Sequence, residues 1–179
     1  MKLTAGDAAG GDQFGGSVAI GDGMAVVGSR GDDDDGSFSG SAYVFNSTTG
    51  NQMHKLTAAD AASGDQFGAS VAVSGFRALV GSILDDDGGA SSGSAYVFNV
   101  GTGDELLKVT ANDAAASDRF GSMLGLSGDL AVIGSPLSTR AGITSSGAAY
   151  VVVVPVPGAG LGGLALLSVI AVMAFIRTG

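Results

Sequence analysis

Apolar residues in this chain come in short runs, and the runs predict strands. Residues 41–46 read SAYVFN, with Tyr43 and Phe45 on one alternating set and Ala42 and Val44 on the other. Ala25, Val26 and Val27 form a similar continuous run. A strand with one wet face alternates apolar with polar residues, so a strand apolar on both sides is expected to be covered on both faces. The runs are separated by turn chemistry. Gly21-Asp22-Gly23 is a hairpin signal, and STTGN at 47–51 is a second turn. In chain order the pattern predicts strands at 2–5, 14–20, 24–29 and 41–46. A turn-rich link lies at 6–13, a polar loop at 30–40, and 52–58 repeats the opening strand.

The whole pattern then recurs. KLTA at 2–5 returns 53 positions later at 55–58, and as KVTA after a further 53 at 108–111. DQFG at 12–15 returns at 65–68 and as DRFG at 118–121. AVVGS at 25–29 becomes ALVGS at 78–82 and AVIGS at 131–135. GSAYVF at 40–45 returns at 93–98 and as GAAYVV at 147–152, where one extra residue has entered the third copy. A fixed period of this kind marks a repeat architecture. Four short antiparallel strands per unit, at a period slightly above the roughly 40–50 residues of propeller blades, predict small sheets stacked face to face. Phe14, Phe67 and Phe120 are then expected between sheets, and Gly15, Gly68 and Gly121 where close backbone approach excludes a Cβ.

The F-G followed by V-G-S, and I-G-S-P at 133–136, resembles the FG-GAP repeat, the blade of the integrin alpha-subunit propeller and of many bacterial surface proteins. KLTA, DQFG, an Asp run and GSAYVF are similar to its bacterial subgroup, over residues 2 to about 154. The resemblance implies an all-β fold: a partial β-propeller of three four-stranded antiparallel blades with boundaries near 2–54, 55–107 and 108–154. It does not fix a function.

Composition sharpens this reading. Among 179 residues there are 32 Gly, 3 Pro and no Cys, with 45% hydrophobic residues, which points to many tight turns in a folded chain. Glu105 is the sole Glu, so the acids are turn and loop formers, and helix is not expected before the C-terminus. A net charge of −9 argues against nucleic acid as a partner. The lack of Cys rules out disulfides and thiolate metal sites.

The sharpest candidate chemistry is acidic. Asp32, Asp33, Asp34 and Asp35 lie in the first polar loop, and Asp85, Asp86 and Asp87 in the second. Clustered carboxylates flanked by Gly and Ser suit calcium, and the alternative is a solvated loop of mutually repelling charges. The calcium motif of the resembled family, D-x-D-x-D-G, falls between the F-G and G-A-P strands. That gap here holds only residues 21–23, so its ligands do not transfer. Asp7 with Asp12, Asp60 with Asp65, and Asp113 with Asp118 recur before F-G, as acceptors of backbone N–H groups or as cation ligands. Arg30-Gly31-Asp32 spells a tripeptide that integrins bind, without counterparts in the other units. His54, the sole histidine, is expected on a strand near the surface. No Ser-His-Asp arrangement surrounds it, and the acids are loop-bound, so an enzyme is not expected.

After residue 154 the composition changes. Residues 155–157 form a Pro-containing linker. Residues 158–176 are uncharged and long enough to cross a hydrocarbon core, giving an expected transmembrane or sorting helix at 158–177 with Arg177 toward the cytoplasm. The V-P-V-P stretch, apolar span and terminal base resemble exosortase-type (PEP-CTERM-like) sorting tails, although Val156 stands where Glu is usual. The opening residues run into the first repeat without an apolar leader, and three blades cannot surround an axis. The expectations are a fragment of a longer chain or two chains closing six blades. The resulting expectation is a non-enzymatic bacterial surface or matrix protein. It would be anchored or sorted by its tail and bind a surface protein or polysaccharide through blade loops. The alternatives are a calcium-stabilised lectin-like module and a purely structural surface-layer component.

Overall fold

The computed structural model describes residues 1–154. Among them the regular elements are eleven strands: β1 Ser17–Gly21, β2 Met24–Ser29, β3 Ser41–Asn46, β4 Gln52–Leu56, β5 Phe67–Ser74, β6 Arg77–Ser82, β7 Ser94–Asn99, β8 Glu105–Val109, β9 Met123–Ser127, β10 Leu130–Ser135 and β11 Ala148–Val153. They form three antiparallel sheets in the orders β1-β2-β3-β4, β5-β6-β7-β8 and β9-β10-β11. The all-β repeat is therefore present, with four strands in each of the first two sheets and three in the last among the described residues. No described helix is long and apolar enough to cross a membrane. The linker at 155–157, the helix at 158–177 and the sorting tail lie outside the described residues.

Two expectations about strands change. The KLTA strand does not open its unit: Lys55 and Leu56 lie in β4, which pairs with β3 of the preceding sheet, Lys55 opposite Tyr43 and Leu56 opposite Ala42. Each unit thus lends its first strand to the unit before it. Residues 2–5, expected as a strand, form none, because no described strand edge stands beside them. Leu3 and Ala5 nevertheless pack against Ala25, Val27, Tyr43 and Phe45. The expected strand at 14–20 also starts late in the first unit, at Ser17, whereas its counterpart in the second unit starts at Phe67.

The sheets stack face to face, as the two-sided apolar runs require. One face of sheet 1 (Val26, Ala42, Val44) packs on one face of sheet 2 (Ala78, Val80, Tyr96, Phe98). The other face of sheet 2 (Leu79, Ala95, Val97) packs on sheet 3 (Ala131, Ile133, Tyr150). Phe67 and Phe120 are buried in these interfaces. Phe67 meets Tyr96 and Phe98 edge to face at centroid distances of 5.4 and 5.8 Å, a geometry worth about 0.5–1.5 kcal/mol per pair beyond area burial. Phe14 repeats it with Tyr43 and Phe45 at 5.5 and 6.0 Å.

Glycine makes the stacking possible where backbones nearly touch. A Cβ at Gly28 would overlap the Gly68 carbonyl oxygen, and one at Gly81 would overlap that of Gly121. The polar loops strap successive units together. Gly64, Gln66 and Phe67 donate backbone N–H bonds of 2.9, 3.0 and 2.9 Å to the carbonyls of Ser37, Phe38 and Ser39. Ser117 and Phe120 repeat this on Ala90 and Ser92, both at 2.8 Å.

Candidate functional site

The recurring acids converge at the loop end of each sheet, around a lysine that sequence reasoning left out. In sheet 1, Asp7 comes from the link after residue 5, Asp32 and Asp34 from the β2–β3 loop, Tyr43 from β3 and Lys55 from β4. The Lys55 Nζ lies 2.8 Å from Asp7 Oδ2 and 3.0 Å from Asp32 Oδ2, and it also contacts Asp34 Oδ2. The Tyr43 hydroxyl is 2.9 Å from Asp7 Oδ1 and 2.8 Å from Asp32 Oδ2; its single proton serves one at a time. The ammonium stands 5.5 Å from the centroid of the Tyr43 ring, which is buried.

Sheet 2 rebuilds the cluster. Lys108 Nζ lies 2.6, 2.9 and 2.6 Å from Oδ2 of Asp60, Asp85 and Asp87, with Tyr96 at 2.9 and 2.8 Å from Asp60 and Asp85. Ser94 adds a 2.8 Å bond to Asp85 Oδ1. An ammonium carries three donors and no acceptor, so three carboxylates satisfy it fully. The side chains of Asp32 and Asp85 are each 5% exposed, while those of Asp34 and Asp87 are 62% and 59% exposed. Each cluster therefore has a dry floor and a wet rim.

The electrostatics follow from this packing. Burial alone would push the Lys55 ammonium down, but hydrogen bonds to Asp34, Asp7 and Asp32 hold it above the usual lysine value. Lys108 is held up in the same way by Asp60 and Asp87. Burial opposes ionisation of Asp32, yet donation from Tyr43 and Lys55 leaves it below the ordinary carboxylate value. Asp85 behaves likewise through Lys108, Ser94 and Tyr96. The Lys55 hydrogen bond is the main cause that lowers Asp7.

Sheet 3 varies the theme. Ser138 stands where the other units have Asp32 and Asp85, and Arg140 where they have Asp34 and Asp87. The Arg140 guanidinium lies 3.1 Å from Asp113 Oδ2, donates to the Tyr150 hydroxyl at 3.1 Å, and sits 5.6 Å from that ring's centroid. Its cation comes from the loop and replaces the one that a fourth strand would bring.

The candidate residues thus divide. Asp32 and Asp34 join Asp7, and Asp85 and Asp87 join Asp60, as three-carboxylate groups with metal-like spacing; a lysine Nζ stands among each. Asp33, Asp35 and Asp86 are exposed and outside these groups. Of the acid pairs before F-G, the second members accept backbone N–H bonds: Asp12 from Ala9 at 2.6 Å, Asp65 from Ala62 at 2.9 Å and Asp118 from Ala115 at 3.0 Å. Asp32 of Arg30-Gly31-Asp32 is buried beneath Lys55, which withdraws its carboxylate from solvent, while Arg30 stays exposed. His54 lies on β4, its Nε2 3.2 Å from the Gly101 carbonyl. Phe38 and Phe76 are exposed, but one is in a β2–β3 loop and the other in the β5–β6 hairpin, at opposite ends of the sheets. The signal that was available for Lys55 and Lys108 is their recurrence with Tyr43 and Tyr96 at the same 53-residue period.

Three comparisons bear on this arrangement. The crystal structure of the computationally designed Ika4 protein matches with a TM-score of 0.52 at 15% identity, over 86% of this chain and 71% of that one, a likeness of fold alone. The computationally designed Ika8 protein matches with a TM-score of 0.45 at 15% identity, over 69% of this chain and 30% of that one. Among curated proteins there is no match. The FG-GAP repeat family pattern matches residues 1–45, 51–98 and 104–152, one match per repeat. With three in-phase matches over most of its length, the chain belongs to the FG-GAP repeat family.

Proposed function

We propose that this chain is a non-enzymatic surface or extracellular repeat protein that binds its partner through the loops at the clasp end of its sheets. The observation that carries the reading is the fate of the recurring titratable groups. Asp7, Asp32, Asp34, Tyr43 and Lys55 saturate one another in sheet 1, and their counterparts do so in sheet 2. Groups engaged in this way hold a β2–β3 loop against the strand lent by the next unit, a structural task. The wet rim of each clasp and the neighbouring exposed Asp33, Asp35 and Asp86 leave an acidic, solvent-facing loop surface. FG-GAP membership and the apolar segment at 158–176 support the address; bacterial origin and tail processing belong to this proposal alone.

Protease added to intact bacterial cells producing the full chain should digest the repeats while a cytoplasmic marker survives. Those cells should also adhere to polysaccharide-coated surfaces more than cells lacking the chain. Full protection from external protease would overturn the address, and unchanged adhesion to polysaccharide and to immobilised surface protein would overturn the binding role.

A further inference from the structure

The last sheet leaves bare a face that the first two sheets bury. In sheets 1 and 2, the residues directed at the following unit include Val26 and Val44, then Leu79 and Val97, all 0% exposed. Their counterparts on sheet 3 are Val132 and Val151, 46% and 57% exposed, and Leu130 and Val153 beside them are also exposed. No described residue covers this face. At the other end, Val18 and Ile20 on the outer face of sheet 1 are 69% and 76% exposed. Their counterparts Val71 and Val73 are packed against sheet 1. Outside the part of sheet 1 that Leu3, Ala5 and Phe14 already cover, the two exposed surfaces are therefore the two halves of the contact that the chain makes internally between its own sheets.

Two further features match. Gly134 is the counterpart of Gly28 and Gly81, each needed where an F-G segment of the next unit presses against the strand. The nearest group to a Cβ at Gly134 is Met123 Cβ at 3.3 Å, so nothing from a following unit demands glycine there. The third loop also keeps the shape of a strap. Ser145 and Gly147 have φ of 52° and 78°, against 55° and 81° at Ser91 and Gly93. Ser91 and its neighbour Ser92 present carbonyls to the N–H groups of Arg119 and Phe120.

We infer that the outer face of sheet 3 docks the outer face of sheet 1 of a second copy of this chain, head to tail. The Phe14-Gly15 segment of the second copy lies against Gly134, and its Leu3 and Ala5, already packed on sheet 1, lie along the free edge of β11. Such an interface is heterologous, and two copies supply six sheets, inside the roughly 4–8 with which stacked blades close a ring. Arg140 already holds the cation position over Tyr150. Lys2 of the partner copy therefore adds no third clasp, and the contact rests on apolar area.

The internal contact supplies the test. A Cβ built at Gly21 lies 3.6 Å from Val73 Cγ1, and the corresponding pair across the copies is Ser127 and Ile20. The chain has no cysteine, so thiols placed there are its only ones. Full-length Ile20→Cys and Ser127→Cys chains, co-produced and oxidised in membranes, should form a disulfide-linked dimer, and neither variant alone should. Adding Val132→Asp to the Ser127→Cys chain should reduce the crosslink to the level of the single variants, with protease resistance of the repeats unchanged. Absence of a crosslink in the mixture overturns the proposal and leaves the face to lipid, another protein or further units of a longer chain. Equal crosslinking of either variant with itself overturns the head-to-tail arrangement.

Discussion

Lys55 and Lys108 each satisfy three aspartates at once, so removing one ammonium leaves three carboxylates crowded without a counter-ion. Lys55→Gln is expected to destabilise the fold by about 2–3 kcal/mol, at or just below the lower end of the range for broken buried pairs, because the rim carboxylates are wet. Urea unfolding of the full chain in detergent would measure it. The same variant should gain a calcium-dependent rise in melting temperature, since it exposes carboxylates at cation spacing. The unaltered chain should show a smaller rise. The pH dependence has a definite sign. Asp7, Asp32 and Asp85 have folded values below the ordinary 3.8, so their contribution is complete above that value and is lost as pH falls through the folded values. Asp65 is raised, chiefly by burial, and opposes the trend by favouring the fold as it protonates. Three lowered carboxylates against one raised predict a net fall in melting temperature below about pH 4. The raised lysines contribute fully below 10.5, and that share is lost only at higher pH.

A strand in this protein does not belong to the unit whose motif begins it. β4 and β8 complete the preceding sheets, and each carries the lysine that closes the preceding clasp. The close crossings of β2 and β6 with the next F-G segment set how near the sheets come. Gly81→Ala would drive a methyl group into the Gly121 carbonyl and should destabilise by about 2 kcal/mol or more, as overpacking does. Gly134→Ala, with Met123 as its nearest neighbour, should change the unfolding midpoint of a single copy far less. Parallel denaturation of the two variants tests whether close sheet approach, and not a general strand preference against glycine, explains the position.

Across the molecule, each sheet contacts its immediate neighbours, so stability is approximately a sum of unit and interface contributions. Among the described residues the middle sheet has a sheet on each face and the outer two have one neighbouring sheet each, with the outer face of sheet 1 partly covered by Leu3, Ala5 and Phe14. Phe67 is fully buried between sheets, whereas Phe14 is partly exposed. In a single copy Phe67→Ala should therefore cost about 3–5 kcal/mol, and Phe14→Ala clearly less. Hydrogen exchange should likewise be slowest in β6 and β7 and faster in β1 and β9. Equal loss at the two phenylalanines in a single copy would contradict a stack whose end sheets have one sheet neighbour each.

The sequence alone determined that short strands repeat and where most of them run. β2 and β3 begin and end where the apolar runs and turn residues predict, and the two-sided apolar pattern of residues 42–45 announced burial on both faces. These are local properties, legible because side-chain alternation and turn chemistry act over a few residues. Tertiary structure decided which sheet each strand joins and which side-chain cation stands among the acids. Lys55 reaches Asp7 across 48 positions and Asp32 across 23, and nothing local to an aspartate run distinguishes a calcium loop from a lysine clasp. That distinction depends on which cation the stacking of one unit on the next brings within hydrogen-bonding distance.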